Sequence, residues 1–251
     1  MKTKSILLCI ALICSATFTT SAQTVDEIID SYFENTGGKA NWEQLEALKF
    51  TGTLDFGQMT LPFTMIQTKE GLIMNSADLQ GQTFYQSVYD GETLWTTNQQ
   101  SFQAEKMDAE ATKNYELGIQ DFPDPFLNYR QKGYEVELIG SETIDGTETF
   151  KIKLEKKPKM VNGVSTPNIE FYYFEKDNFV PILIEREIAI GPNGLMMGHS
   201  KLSEYQEVEG LYFPFSFTEG TMEQPKAQSF TITNIEVNPE IDPSIFKFPN
   251  K

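Results

Sequence analysis

The chain has 251 residues, 36 acidic against 20 basic, with a formal net charge of −16, one histidine and two cysteines. So acidic a surface excludes nucleic acid, which needs a basic face, and disfavours loose adhesion to anionic lipid headgroups. His199 stands alone and Cys9 and Cys14 both lie near the N-terminus, so multi-histidine metal sites, thiol nucleophiles and cysteine-ligated zinc are excluded from the body of the chain.

Lys2 and Lys4, an apolar stretch over residues 6–16 and the small residues Thr20-Ser21-Ala22 read as a secretory signal cleaved after Ala22. The apolar stretch is well short of the roughly 20 residues that a membrane-spanning helix needs. A lipid-carrying cysteine wants Gly, Ala or Ser directly before it, whereas Leu8 precedes Cys9 and Ile13 precedes Cys14. Cleavage is therefore preferred over lipid anchoring. Residues 23–251 then enter an oxidising compartment with no thiol to misreact.

The first element after that cut is a helix. Thr24 and Glu27 have capping-box spacing, in which hydroxyl and carboxylate each satisfy a backbone N–H. Val25, Ile28, Ile29, Tyr32 and Phe33 recur on one helical face, and Gly37-Gly38 ends it. A second short helix is expected over residues 41–47. Alternation with period two then takes over: Leu54 with Phe56, Leu61 with Phe63 and Met65 in LPFTM, and Trp95 after the Asp90-Gly91 turn.

Weak helical turns at residues 108–115 and 125–131, split by DFPDP at 121–125, make a helical insertion near residues 105–132. Asp121 and Asp124 offer a calcium ion two carboxylates, but without the regular oxygen spacing of a dedicated loop. Alternation resumes in FKIKL (150–154), around Phe171, in PILIEREIAI (181–190) and in LYFPFSFTE, where Leu211, Phe213, Phe215 and Phe217 share a face. Asp145-Gly146, Asn162-Gly163, Asp177-Asn178 and Glu209-Gly210 punctuate these runs as turns. The pattern gives about ten antiparallel strands in up-and-down order, one mainly β domain with a few helices over residues 23–251.

Such a sheet must cover its apolar face, and 19 phenylalanines and 10 tyrosines are available to it. Two solutions fit: the sheet closes around a packed core, or it curls around a partly empty cavity suited to a lipid or acyl chain. Arg186 falls in phase with Ile182, Ile184, Ile188 and Ile190, so without a bulge its guanidinium points inward and needs acceptors. It reads either as a rim arginine paired with an acid or as a polar latch. A latch would hold a helix over the cavity or meet a ligand carbonyl or phosphate.

No phosphate-cradling glycine loop, serine elbow or HExxH motif is present. His199, after a glycine-rich turn, reads as a loop residue. Glu185 and Glu187 share a polar face and read as solvated, whereas glycosidase chemistry needs carboxylates opposed across a cleft. Neither cofactor nor metal is implied.

The order of segments resembles the outer-membrane lipoprotein-sorting proteins, the LolA/LolB-like group. The resemblance runs from TVDEIIDSYFENTGGKANWEQLEALKFTGTL through VYDGETLWTTN, GYEVELIGSETIDGTETFKIKLEKK and FYYFEKDNFVPILIERE to SEYQEVEGLYFPFSF and ITNIEVNPEIDPSIFKFP. It implies a curved antiparallel half-barrel, closed by helices acting as a lid around a hydrophobic cavity. It also implies a periplasmic monomer that carries lipid or lipoprotein acyl chains, without bond chemistry, between inner- and outer-membrane sorting proteins. On that resemblance the lining is Leu54, Phe56, Leu61, Phe63, Met65, Trp95, Phe171, Ile182, Ile184, Phe213, Phe215 and Phe217. Val25, Ile28, Ile29, Tyr32 and Phe33 become the inner surface of the lid. The best-known carriers hold the lid with an arginine on an early strand; residues 48–98 contain none, which leaves Arg186 as the substitute latch. The alternative on the same fold is a non-enzymatic envelope scaffold whose core is filled by its own side chains.

Overall fold

The computed structural model describes residues 23–190 and 194–249. The signal-like segment, its proposed cut after Ala22 and both cysteines lie outside the described residues.

Helix α1 (Val25–Asn35) begins at the expected capping box: the Thr24 hydroxyl accepts from the Glu27 amide, and the Glu27 carboxylate accepts from the Thr24 amide at 2.7 Å. A four-residue helix, α2 (Lys39–Trp42), follows. It is shorter and earlier than expected, because Ala47 already opens a strand and pairs with Thr68. Strands β1 (Ala47–Asp55), β2 (Thr60–Thr68), β3 (Ile73–Leu79), β4 (Gln82–Tyr89), β5 (Leu94–Thr97) and β6 (Ala104–Lys106) precede the helical insertion. That insertion holds α3 (Ala109–Gly118), a 3-10 turn and α4 (Tyr129–Lys132). Strands β7 (Glu135–Ile144), β8 (Thr147–Val161), β9 (Val164–Glu175), β10 (Pro181–Ile190), β11 (Gly194–Val208), β12 (Leu211–Thr221) and β13 (Gln228–Val237) follow it.

All thirteen strands form one curved antiparallel sheet in the order β6-β5-β4-β3-β2-β1-β13-β12-β11-β10-β9-β8-β7. Two meanders are thus joined where β13 returns to β1. The count exceeds the expected ten or so in part because β6 is short and polar and carries no readable alternation. The Asp145-Gly146, Asn162-Gly163 and Glu209-Gly210 turns have positive φ at both residues, as two-residue hairpins require. Asp90-Gly91 differs: only Gly91 has positive φ, and Asp90 Oδ1 instead accepts from the amides of Glu92 and Thr93, which makes a longer loop.

The helices occupy the inner face at one end of the sheet. Ile28, Ile29, Tyr32 and Phe33 are buried on α1, with the Tyr32 ring 5.5 Å from Phe174 and the Phe33 ring 6.2 Å from Trp42. The insertion adds Phe126, whose ring meets Tyr172 at 4.7 Å. Helix α3 bridges the two meanders. Its Glu110 accepts from the amides of Asn162 and Gly163 at the β8–β9 turn, and Asn114 pairs with both backbone groups of Met160. At its other end the Tyr115 hydroxyl donates to the Gly71 carbonyl, and the Tyr115 ring lies 4.8 Å from Tyr89 on β4.

Candidate functional site: an apolar cavity on the inner face of the sheet

Beyond the helices, the inner face of six neighbouring strands, β10, β11, β12, β13, β1 and β2, lines a part-open cavity of about 300 Å³. The cross-strand register builds it. Leu202 on β11 faces Phe217, Phe217 faces Phe230, and Phe230 faces Leu54, which in turn faces Leu61. The edge of one ring meets the face of the other between Phe63 and Phe230, with centroids 5.4 Å apart. Phe63 reaches that position by lying over Gly52, its cross-strand partner. Phe50, Met65, Ile184 and Ile232 complete the apolar wall.

Two residues further toward the β10–β11 and β12–β13 turns, the next row on the same face is polar: Ser200 faces Glu219, and Glu219 faces Gln228. Gln67 is the other polar lining residue. Arg186 approaches this polar row from β10. Its Nη1 donates to Ser200 Oγ at 3.1 Å, and its Nη2 lies 3.6 Å from Glu219 Oε1. The other Glu219 oxygen accepts from Gln228 Nε2 at 2.6 Å.

Of the residues expected to line a cavity, Phe63, Met65, Ile184 and Phe217 do so. Leu54, Phe213 and Phe215 are on the inner face but buried in the solid core; Phe213 packs on Trp42 at 5.3 Å. Leu61 is partly buried against the same core. Ile182 borders a separate groove with Asn35 and Tyr205, after a register shift between Pro181 and Leu183.

Three of the residues expected on the lining lie elsewhere. Phe56 stands exposed in the β1–β2 turn, beyond the end of β1. Phe171 faces outward, paired with Lys153 and Glu185 and with the Lys151 ammonium 5.2 Å from its ring, because Tyr172 and Phe174 hold the inward parity of β9. Trp95 also lies on the outer face, in a cross-strand row with Val88, Met74 and Ile66, opposite to Met65. There its indole N–H donates to the Phe246 carbonyl at 2.9 Å and fastens the C-terminal segment.

The α1 face is not a lid over this cavity. Ile28, Ile29, Tyr32 and Phe33 are buried, with Val25 packed beside them, but in the solid core, and all eleven cavity-lining residues come from strands. Arg186 does point inward, as its phase required, yet both of its contacts are to strands β11 and β12 rather than to a helix. Sequence reasoning missed Phe50, Gln67, Ser200, Leu202, Glu219, Phe230 and Ile232 on the wall. Their parity was readable; which of the alternating residues met empty space was set by where the helices stop.

The insertion covers the neighbouring part of the inner face with a polar cluster. Lys156 bridges Asp121 (3.0 Å) and Glu170 (2.7 Å), while Tyr134 donates to Asp121 and Tyr172 to Glu170. Burial works against the Lys156 charge, but the two carboxylates outweigh it and raise its pKa. Burial raises the Asp124 carboxyl, opposed by hydrogen bonds from the Phe126 amide and the Tyr32 hydroxyl (2.9 Å). The oxygens of Asp121 and Asp124 are thus engaged by protein donors, which leaves the calcium reading without ligands. His199 is placed in β11 rather than a loop, with Nε2 3.0 Å from the Pro225 carbonyl. Glu185 accepts from the Tyr173 hydroxyl at 2.6 Å on the outer face.

No protein-family model matches the sequence, and no curated protein sequence is significantly similar to it. Solved structures do share the fold. A DUF1329 family protein from Desulfovibrio piger superposes with a TM-score of 0.56 at 12% identity, covering 90% of this chain and 98% of the other. A LolA superfamily protein from Nitrosomonas europaea gives 0.54 at 12% identity, over 90% and 98%. An outer-membrane lipoprotein-sorting protein domain from Vibrio parahaemolyticus gives 0.51 at 10% identity, over 88% and 94%. The fold is therefore LolA/LolB-like, a mainly β half-barrel.

Proposed function

We propose that this chain is a non-enzymatic carrier that holds an acyl chain of a lipid or lipoprotein in the cavity between β10 and β2. The observation that carries the reading is a wall of phenylalanine, leucine, isoleucine and methionine left unfilled on the inner face of the sheet. Close-packed interiors leave few unfilled spaces of this size, so a part-open apolar cavity suits an apolar guest. At about 300 Å³ it stands at the lower end of ligand-site volumes. It therefore accommodates one chain or chain end rather than a bundle of three. Each methylene moved from water into it contributes about 0.8 kcal/mol.

The location that fits this role is the periplasm, reached after cleavage of the N-terminal signal behind Ala22, with residues 23–251 acting as one monomeric domain. Cargo would pass between sorting proteins of the two membranes. Native mass spectrometry of protein purified without detergent, followed by uptake of a fluorescent fatty acid, tests the carrier reading. Co-purified lipid or saturable uptake is the expected result. A lipid-free protein that takes up no probe would contradict it and leave the scaffold alternative, which the solid core around α1 and Trp42 favours.

A further inference from the structure

The polar end of the cavity has a composition that a plain hydrocarbon site does not need. The apolar row Leu202–Phe217–Phe230 and the polar row Ser200–Glu219–Gln228 are consecutive steps along the same three strands. A guest whose tail lies on the first row brings its head to the second. Arg186, one of only two arginines in the chain, stands at that second row. Its cross-strand partners are Gly198 on β11, which offers no side chain, and Glu170 on β9, whose carboxylate is held by Lys156 and Tyr172.

The pairing of Arg186 is incomplete. Nη1 donates to Ser200, and Nη2 meets Glu219 only at 3.6 Å, beyond the 2.7–2.9 Å of a charge-assisted hydrogen bond. Glu219 is held instead by Gln228. A guanidinium has five N–H donors in a planar fork suited to two oxygens at once. Ser200 is buried and fixes one edge of that fork, and the Arg186 side chain as a whole is about one-third exposed.

Resting on the carrier reading, we propose that the cavity takes a single-chain amphiphile with an anionic oxygen head, a carboxylate or phosphate, and that Arg186 binds that head. Glu219, which also lines the cavity, opposes an anionic head, so that head must dock on the guanidinium edge away from it. The head chemistry is shared by a free fatty acid and by a phosphate monoester of a long-chain alcohol.

Displacement of a fluorescent fatty acid from the full chain at neutral pH tests this with four probes of one chain length: hexadecanoic acid, hexadecyl phosphate, hexadecanol and methyl hexadecanoate. The acid or the phosphate, or both, should bind about tenfold or more tighter than the alcohol and ester, the scale of a charge-assisted hydrogen bond. Whichever anion is preferred identifies the source. In Arg186→Gln the preference should vanish while hexadecanol binds as before. Equal affinity for all four probes in the unaltered protein, or a preference that survives Arg186→Gln, overturns the head-group assignment and leaves the carrier intact. Failure of every probe to bind overturns the carrier reading and this inference with it. Should Arg186→Gln not fold, the unaltered protein decides the anion preference, and Arg186→Lys, which keeps the charge but loses the planar fork, should weaken anion binding while hexadecanol binds as before; an undiminished anion preference there overturns the assignment to the guanidinium.

Discussion

At the scale of single residues, the shape of the cavity depends on a glycine that carries no chemistry. A Cβ on Gly52 would collide with the Thr231 carbonyl oxygen and come within 2.9 Å of the Phe63 ring. The β1–β13 register shifts here, between Thr51 and Gly52. Gly52→Ala should therefore destabilise the fold by about 1–3 kcal/mol through overpacking. A urea titration should show a lower midpoint at unchanged slope. Tyr32 offers a second test, because its hydroxyl is one of the donors that lower the raised Asp124 pKa. A carboxyl whose folded pKa lies above its unfolded value stabilises fully below the latter, and that contribution is lost as pH rises through the folded pKa. Tyr32→Phe raises the folded value further. Its deficit, about 1–3 kcal/mol for a group left short of a partner, should be smaller near pH 4 than at pH 7 when urea midpoints are compared. An equal deficit at both would show that Asp124 does not titrate in this way.

At the scale of elements, period-two alternation placed β10 and β12 close to their observed bounds, because strands with one wet face must alternate. The same signal could not tell which face was inner on short strands. Trp95 belongs to the four-residue β5, whose neighbours Leu94 and Trp95 are both buried, so parity alone does not orient it and only the Ile66–Met74–Val88 row assigns it outward. Phe171 failed for a related reason, since Phe171, Tyr172, Tyr173 and Phe174 are all large and aromatic. The capping box of α1 was legible; that its apolar face would seal a core instead of roofing a cavity was not, because helical periodicity shows a buried face but not what buries it. The role of α3 as a bridge was equally hidden, since its main ties are to backbone groups of Asn162, Gly163 and Met160. Glu110→Ala combined with Asn114→Ala should speed amide hydrogen exchange at residues 160–163 while leaving α1 and β13 protected. Unchanged exchange at the β8–β9 turn would show that α3 does not restrain it.

At the scale of the whole molecule, a thirteen-stranded open sheet is divided into a filled end, where α1, α2 and the insertion supply the covering side chains, and an unfilled stretch over β10 to β2. That division contains elements of both solutions the alternating pattern had left open. Whether the unfilled stretch is a binding site is tested most directly by filling it. Ile184 lines the cavity on β10, so Ile184→Trp places an indole in the volume an acyl chain would occupy. With a fluorescent fatty acid as reporter, uptake should fall at least tenfold while the urea midpoint stays close to that of the unaltered protein, since the ring enters existing space. Uptake at full affinity in a folded Ile184→Trp protein would contradict the assignment of this cavity as the acyl-chain site.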